Sequence, residues 1–303
     1  MKKKLKKRIA AAAVLGTAAL AVFSLSACTK KDQGTIKIAS KPMTEQYVLT
    51  ELLGALIEHD LGVKVEITKG VGGGTTNIQP ALLKGDFDMY PEYTGTGWLT
   101  VLKKEQEDDP DVLYKDLQKG YEEMGLHWTG LYGFQNSYVL AVRKEAADQY
   151  QLKTFSDLAL VSGDLVFGGN PDYMEREDGF NYLASAYNMN FKDVKDIDIA
   201  LKYTAMAGSE IDVTNAFTTD AQLSVADVAL LEDDKHIFAT YYGATVVRQD
   251  TLEKYPKLEE TLEKLTGLIS DDEMRAMNYA VEVDKRDEKE VAREFLENKG
   301  LLK

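Results

Sequence analysis

The chain has almost none of the residues that soft metal sites and covalent chemistry rely on. Its 303 residues include one cysteine, Cys28, so no disulfide can form within it. The three histidines, His59, His127 and His236, are scattered, and none has a second ligand at zinc-site spacing. The nucleophile motif Gly-x-Ser-x-Gly and the zinc motif His-Glu-x-x-His are both missing. Gly72-Gly73-Gly74-Thr75-Thr76 has the glycines of a phosphate loop but lacks the Gly-Lys-Ser/Thr ending that places a lysine on the phosphates. It reads instead as a tight strand-to-helix turn. No metal, cofactor or covalent reaction is expected, and an extracellular hydrolase would need a nucleophile–base pair that is not found. Internal repeats, low-complexity segments and a Pro/Gly-rich linker between sequential domains are absent as well.

Positive charge is scarce outside the N-terminus. Lys and Arg total 36 against 50 Asp and Glu, and six of those cations stand in Met1–Arg8 with no acid among them. An apolar stretch of Ala, Leu and Val follows from Ile9 to Leu25, giving the charged and hydrophobic regions of a secretory leader. The stretch is short for a transmembrane helix, which needs about 20 apolar residues. It ends in Leu25-Ser26-Ala27-Cys28, which resembles the lipobox of bacterial lipoproteins. That resemblance implies cleavage before Cys28, a diacylglycerol on its thiol and residence on the outer face of the cell membrane. Losing the six leader cations takes the net charge from −14 to −20. A chain so acidic repels nucleic acid and anionic headgroups and favours cationic or zwitterionic ligands.

After a 27-residue leader, 276 of the 303 residues remain, enough for two ordinary domains. Cys28–Gly34 reads as a polar tether. From Thr35 on, strand-like and helix-like segments alternate. Thr35–Ala39 is a short β run; Val48, Leu49, Leu52, Leu53, Leu56 and Ile57 place an amphipathic helix over Thr44–His59; Val63, Val65 and Ile67 alternate with charges as a strand does. A second helix ends near Lys84-Gly85, and Phe87–Tyr90 is the next strand. Further strands are expected at Tyr138–Val142, Leu165–Gly168, Ile211–Val213 and Val225–Leu231, and helices at Asp111–Met124, Asp178–Tyr187 and Asp198–Ala207. Ser270 with Glu273 forms a capping-box pattern. This order predicts an α/β fold of two lobes, each a mainly parallel sheet flanked by helices. The expected division is 35–136 with 237–303 as one lobe and 137–236 as the other, with crossings near Gly133–Tyr138 and Lys235–Tyr241, closing on a ligand by a hinge.

Tyrosine is unusually common, with 16 Tyr against 10 Phe. Several stand beside Gly, Asn, Thr or Pro, where loops begin. Any one of them could simply be core. Several converging would make a site for a quaternary ammonium, which has no N–H to donate and is held by aromatic faces or anions.

Four ordered blocks carry a family resemblance from about Thr35 to the end. They are Ser40-Lys41-Pro42-Met43-Thr44-Glu45-Gln46; Gly85 to Gly97, including Met89-Tyr90-Pro91-Glu92-Tyr93-Thr94-Gly95-Thr96-Gly97; Arg176-Glu177-Asp178-Gly179; and Asn215-Ala216-Phe217-Thr218-Thr219-Asp220, followed by Tyr241 and Tyr242. The chain resembles the glycine betaine, carnitine and choline-binding proteins of osmoprotectant ABC transporters. The resemblance implies the type II fold of extracytoplasmic binding proteins, an aromatic box of Tyr93, Tyr138, Phe217 and Tyr241, and a carboxylate clamp of Lys41, Thr96 and Arg176. It implies an ABC permease and a separate ATPase subunit as partners, with a betaine-type zwitterion such as glycine betaine as ligand. Carnitine, choline or an ergothioneine-like compound are the alternatives. Choline lacks the carboxylate that Lys41 and Arg176 would hold. Position 217 departs from the pattern, with Phe where the family commonly has Tyr.

Overall fold

The computed structural model describes residues 34–302, apart from residues 108 and 239 and the side chain of residue 172. The leader, Cys28 and the tether up to residue 33 lie outside the described residues. The rest forms two five-stranded sheets flanked by helices.

The first sheet runs β2-β1-β3-β10-β4, from β1 (Thr35–Ala39), β2 (Lys64–Thr68), β3 (Met89–Tyr93), β4 (Leu126–Trp128) and β10 (Gly243–Arg248). The second runs β7-β6-β8-β5-β9, from β5 (Tyr138–Arg143), β6 (Val166–Gly169), β7 (Asp193–Asp196), β8 (Val213–Phe217) and β9 (Val228–Leu231). In each sheet four strands share a direction and one, β10 or β5, opposes them. The chain leaves the first sheet after β4, builds the whole of the second, and returns to insert β10 between β3 and β4. The two connections touch where Gln135 bridges Tyr242.

Burial explains the packing. The helix Thr44–Leu61 turns Val48, Leu49, Leu52, Leu53, Leu56 and Ile57 into the core, where they meet Ile36 and Ile38 of β1. It ends at Gly62 in the left-handed conformation, whose N–H closes on the Glu58 carbonyl. A second cluster packs Tyr90, Leu113, Leu117, Tyr121 and Trp128 beneath the helix Pro110–Glu122. The helix Asp271–Glu282 belongs to the late part of the chain yet reaches the second sheet: Arg275 donates to the Thr218 carbonyl at 2.8 Å and Asn278 to the Thr219 carbonyl at 3.0 Å.

The expected boundaries move in several places. The third strand is Met89–Tyr93 rather than Phe87–Tyr90, and the strand expected at Ile211–Val213 runs Val213–Phe217. The helix expected from Asp178 begins at Phe180, and the one expected from Asp198 begins at Lys202. Three strands, β4, β7 and β10, were not among those expected.

Candidate ligand-binding site

The side chains that the resemblance singled out sit mostly at strand ends. Lys41 follows β1, Tyr93 closes β3, Thr96 stands in the turn of helix after it, Tyr138 opens β5, Phe217 closes β8 and Tyr241 precedes β10. Arg176 follows the short helix Pro171–Glu175 after β6. Open α/β sheets bind ligands beyond the carboxyl ends of their strands, where backbone turns away and leaves a crevice. All seven residues line one cavity of about 610 Å³, shared with Pro42, Gly74, Thr75, Asn136 and Asn170.

Three of the rings touch. Tyr138 and Phe217 are register partners across β5 and β8, their centroids 5.1 Å apart. Tyr241 meets Tyr138 edge-on at 5.7 Å. Behind them Tyr138 also contacts Tyr173 at 5.1 Å and Phe238 at 5.0 Å, two aromatics that sequence reasoning missed. Tyr93 reaches the cavity from the first sheet. Gly95 permits the approach of the second connection: a Cβ there would stand 2.7 Å from the Tyr241 ring and 2.9 Å from the Thr240 carbonyl. At Gly74 a positive φ of 51° starts the helix Thr75–Lys84 beside the Lys41 methylenes.

The cations arrive with counter-charges that were not anticipated. Lys41 is buried, pairs with the buried carboxylate of Glu92, and lies 4.7 Å above the Tyr93 ring. Burial pulls its ammonium below the ordinary lysine value, and Glu92 opposes that pull. Glu92 also accepts from Thr75 at 2.6 Å and from the Tyr93 N–H at 2.7 Å. Arg176 forms a two-pronged pair with Asp178, Nε and Nη2 each donating at 2.6 Å. Asp178 accepts a further bond from the Tyr241 hydroxyl, tying that ring to the Arg176 pair. One edge of the guanidinium is thereby committed, and among the described residues no acceptor is present for Nη1. Phe217 has Lys202 5.7 Å from its centre, and Lys202 pairs with Asp220 at 2.7 Å. Glu45 lies under the Tyr93 hydroxyl and accepts from it, from Asn136 at 2.7 Å and from Asn278 at 3.2 Å.

Glu45, Glu92, Asp178 and Thr219 all lay inside the quoted blocks, so the signal was present, but nothing in spacing marks which carboxylate meets which cation. Chemically, the arrangement offers aromatic faces to a cation and lysine and arginine N–H groups to an anion, the two ends of a zwitterion.

Two α/β lobes joined by two connections, with a ring-lined and charge-lined cavity at the strand ends, define an extracytoplasmic substrate-binding protein of an ABC-type importer. The chain belongs to the family of substrate-binding domains of ABC-type glycine betaine transport systems, whose model matches residues 34–298. It is 44% identical over 272 residues to an ergothioneine transport permease/ergothioneine binding protein, EgtU, of Helicobacter pylori (strain G27); the match covers 89% of this chain but only 48% of that longer protein. It is 36% identical over 282 residues to the carnitine transport binding protein OpuCC of Listeria monocytogenes, covering 90% of this chain and 91% of the relative. A crystal structure described as a glycine betaine/carnitine/choline ABC transporter superposes with a TM-score of 0.78 at 32% identity, covering 88% of this chain and 99% of the other. These relatives are transport proteins, not enzymes.

Proposed function

We propose that the chain captures a betaine-type zwitterion, with its trimethylammonium among Tyr93, Tyr138, Phe217 and Tyr241 and its carboxylate on Lys41, Thr96 and Arg176. The lobes, 35–136 with 237–303 and 137–236, close over the ligand and hand it to a membrane permease driven by a separate ATPase. No covalent chemistry occurs on this chain, and after removal of residues 1–27 the lipid on Cys28 holds it at the membrane through the tether 28–34. The observation that carries the reading is convergence: residues from four blocks spread over some 200 positions line one cavity. Four desolvated rings at about 1–2 kcal/mol each fall short of the roughly 8 kcal/mol net of a micromolar complex, so the clamp supplies the remainder.

A second reading is ergothioneine, itself a betaine with a larger side group. It is favoured by the 44% identity to a protein of that name and by a cavity of about 610 Å³, roomy for a molecule as small as glycine betaine. Calorimetry with glycine betaine, carnitine, choline and ergothioneine ranks the candidates. A carboxylate-bearing betaine is expected to bind best. Arg176→Ala should weaken it by about 2–5 kcal/mol, the scale for truncating one side of a charge pair, and should hurt choline far less. Equal losses for both would remove Arg176 from the clamp.

A further inference from the structure

Two carboxylates are buried among the described residues, Glu92 and Glu45, exposed by 0% and 4%. An ionised carboxylate withdrawn from water costs several kcal/mol unless its charge is met. Glu92 has Lys41. The half-buried acids beside the rings are met in the same way, Asp178 by Arg176 and Asp220 by Lys202. Glu45 differs: no ion pair to it is present among the described residues, Lys41 acting on it only through space, and its donors, the Tyr93 and Thr219 hydroxyls and the amides of Asn136 and Asn278, are all neutral. The amide N–H groups can only donate, so they address Glu45 as an acceptor through both of its oxygens. Burial pushes the Glu45 carboxyl above its ordinary value, and these donated bonds oppose that push by favouring the ionised form.

The surroundings of Glu45 radiate to the box. Tyr93, one of its rings, rests its hydroxyl on Glu45. Asn136 stands two residues before Tyr138, and its amide also reaches the Thr219 hydroxyl at 3.1 Å. Asn278 holds the Thr219 carbonyl at 3.0 Å, two residues beyond Phe217. A single carboxylate therefore anchors the segments that carry three rings, from both sheets and from the late helix Asp271–Glu282.

We propose that Glu45 is a specificity-determining residue: its charge, set beneath Tyr93 and without an ion pair among the described residues, is the anion that the ligand's quaternary ammonium completes. The ring faces already favour a trimethylammonium over a tert-butyl group of the same shape, and a nearby anion widens that preference. A hydroxyl donating to a carboxylate also makes the Tyr93 ring face more negative, so the effect reaches the ligand through the ring as well as through space. The proposal rests on the reading that an ammonium sits among these rings.

The test is a ratio. Glycine betaine, or carnitine if it binds more tightly, is titrated beside the isostere in which carbon replaces the quaternary nitrogen; for glycine betaine this is 3,3-dimethylbutanoate. Wild type should prefer the ammonium. Glu45→Gln should shrink that preference by at least about tenfold, the scale of one charge pair at short range. Glu45→Asp keeps the charge and should retain most of it. A merely structural role would weaken both ligands alike and leave the ratio unmoved. If wild type itself holds the two equally, the ammonium reading of the rings falls. If wild type discriminates and Glu45→Gln does so to within twofold, the Glu45 proposal alone falls. Tyr93→Phe, which deletes only a hydroxyl, decides the matter should Glu45→Gln not fold: the ratio should drop in the same direction by a smaller factor, and an unchanged ratio overturns the proposal.

Discussion

Tyr138 contacts four other rings, Tyr173, Phe217, Phe238 and Tyr241, and so works both as a wall of the cavity and as its internal brace. Replacing it with Phe preserves the π-face and the packing. Replacing it with Leu preserves apolar bulk but removes the quadrupole that attracts a cation. We expect Tyr138→Phe to bind the best betaine almost as wild type does and Tyr138→Leu to lose about 1–2 kcal/mol more, read by calorimetry. Leucine binding as well as phenylalanine would mean a plain hydrophobic pocket. At this scale most residues lining the cavity were legible, because they stand in or just after blocks of recognisable order, while Tyr138 stood out only as a tyrosine beside Asn136 and Ser137. Their partners were not. The chain has 50 acidic residues, and nothing local distinguishes Glu45, Glu92 or Asp178 from a solvated carboxylate. Lys41 meets Glu92 across 51 positions, so that pairing exists only once the sheet has formed.

Among the elements, strong local signals fared best. Ser270 and Glu273 form the expected capping box at the head of the helix Asp271–Glu282, each side chain engaging the other's backbone. Ser270→Ala should cost about 1 kcal/mol in a denaturant melt, the usual worth of such a cap, while leaving ligand affinity nearly unchanged in the folded protein. The hydrogen bond from Lys299 and the Ser270 N–H hold the Glu273 carboxyl below its ordinary value. Its contribution is therefore complete above the usual carboxylate range and fades as the pH falls through the lowered value. Wild type and Ser270→Ala should accordingly both lose this contribution on acidification, because the substitution removes neither bond. Elements escaped the sequence where a local rule was overridden. Pro91 argues against a strand, yet β3 runs through it, because its pairing with β1 is at Met89 and Pro91 faces Thr245 of β10. Residues Gly243–Val247 of β10 are buried throughout, so the strand shows no alternation to read. Asp178 looks like the cap of a helix, but its carboxylate is committed to Arg176 and Tyr241.

For the molecule as a whole, the alternation of strand and helix patterns was enough to indicate an α/β fold, whereas strand order depends on long-range pairing that no local window contains. The anchor is the outstanding whole-molecule claim. Cys28→Ala should release the mature protein from the membrane fraction and abolish labelling by a radioactive fatty acid. A variant that stays membrane-bound and labelled would refute the lipoprotein reading. The return of β10 has a separate consequence, for the order of assembly. The second sheet is drawn from one continuous stretch, Tyr138–Leu231, and can close as soon as that stretch is available. The first sheet cannot: β3 and β4 have no link until Gly243–Arg248 arrives to lie between them. The half of the molecule that begins the polypeptide is thus the half that finishes last. A chain released from its ribosome before residue 243 would carry an open sheet with two unpaired edges, a form well suited to being threaded through a membrane and poorly suited to being kept.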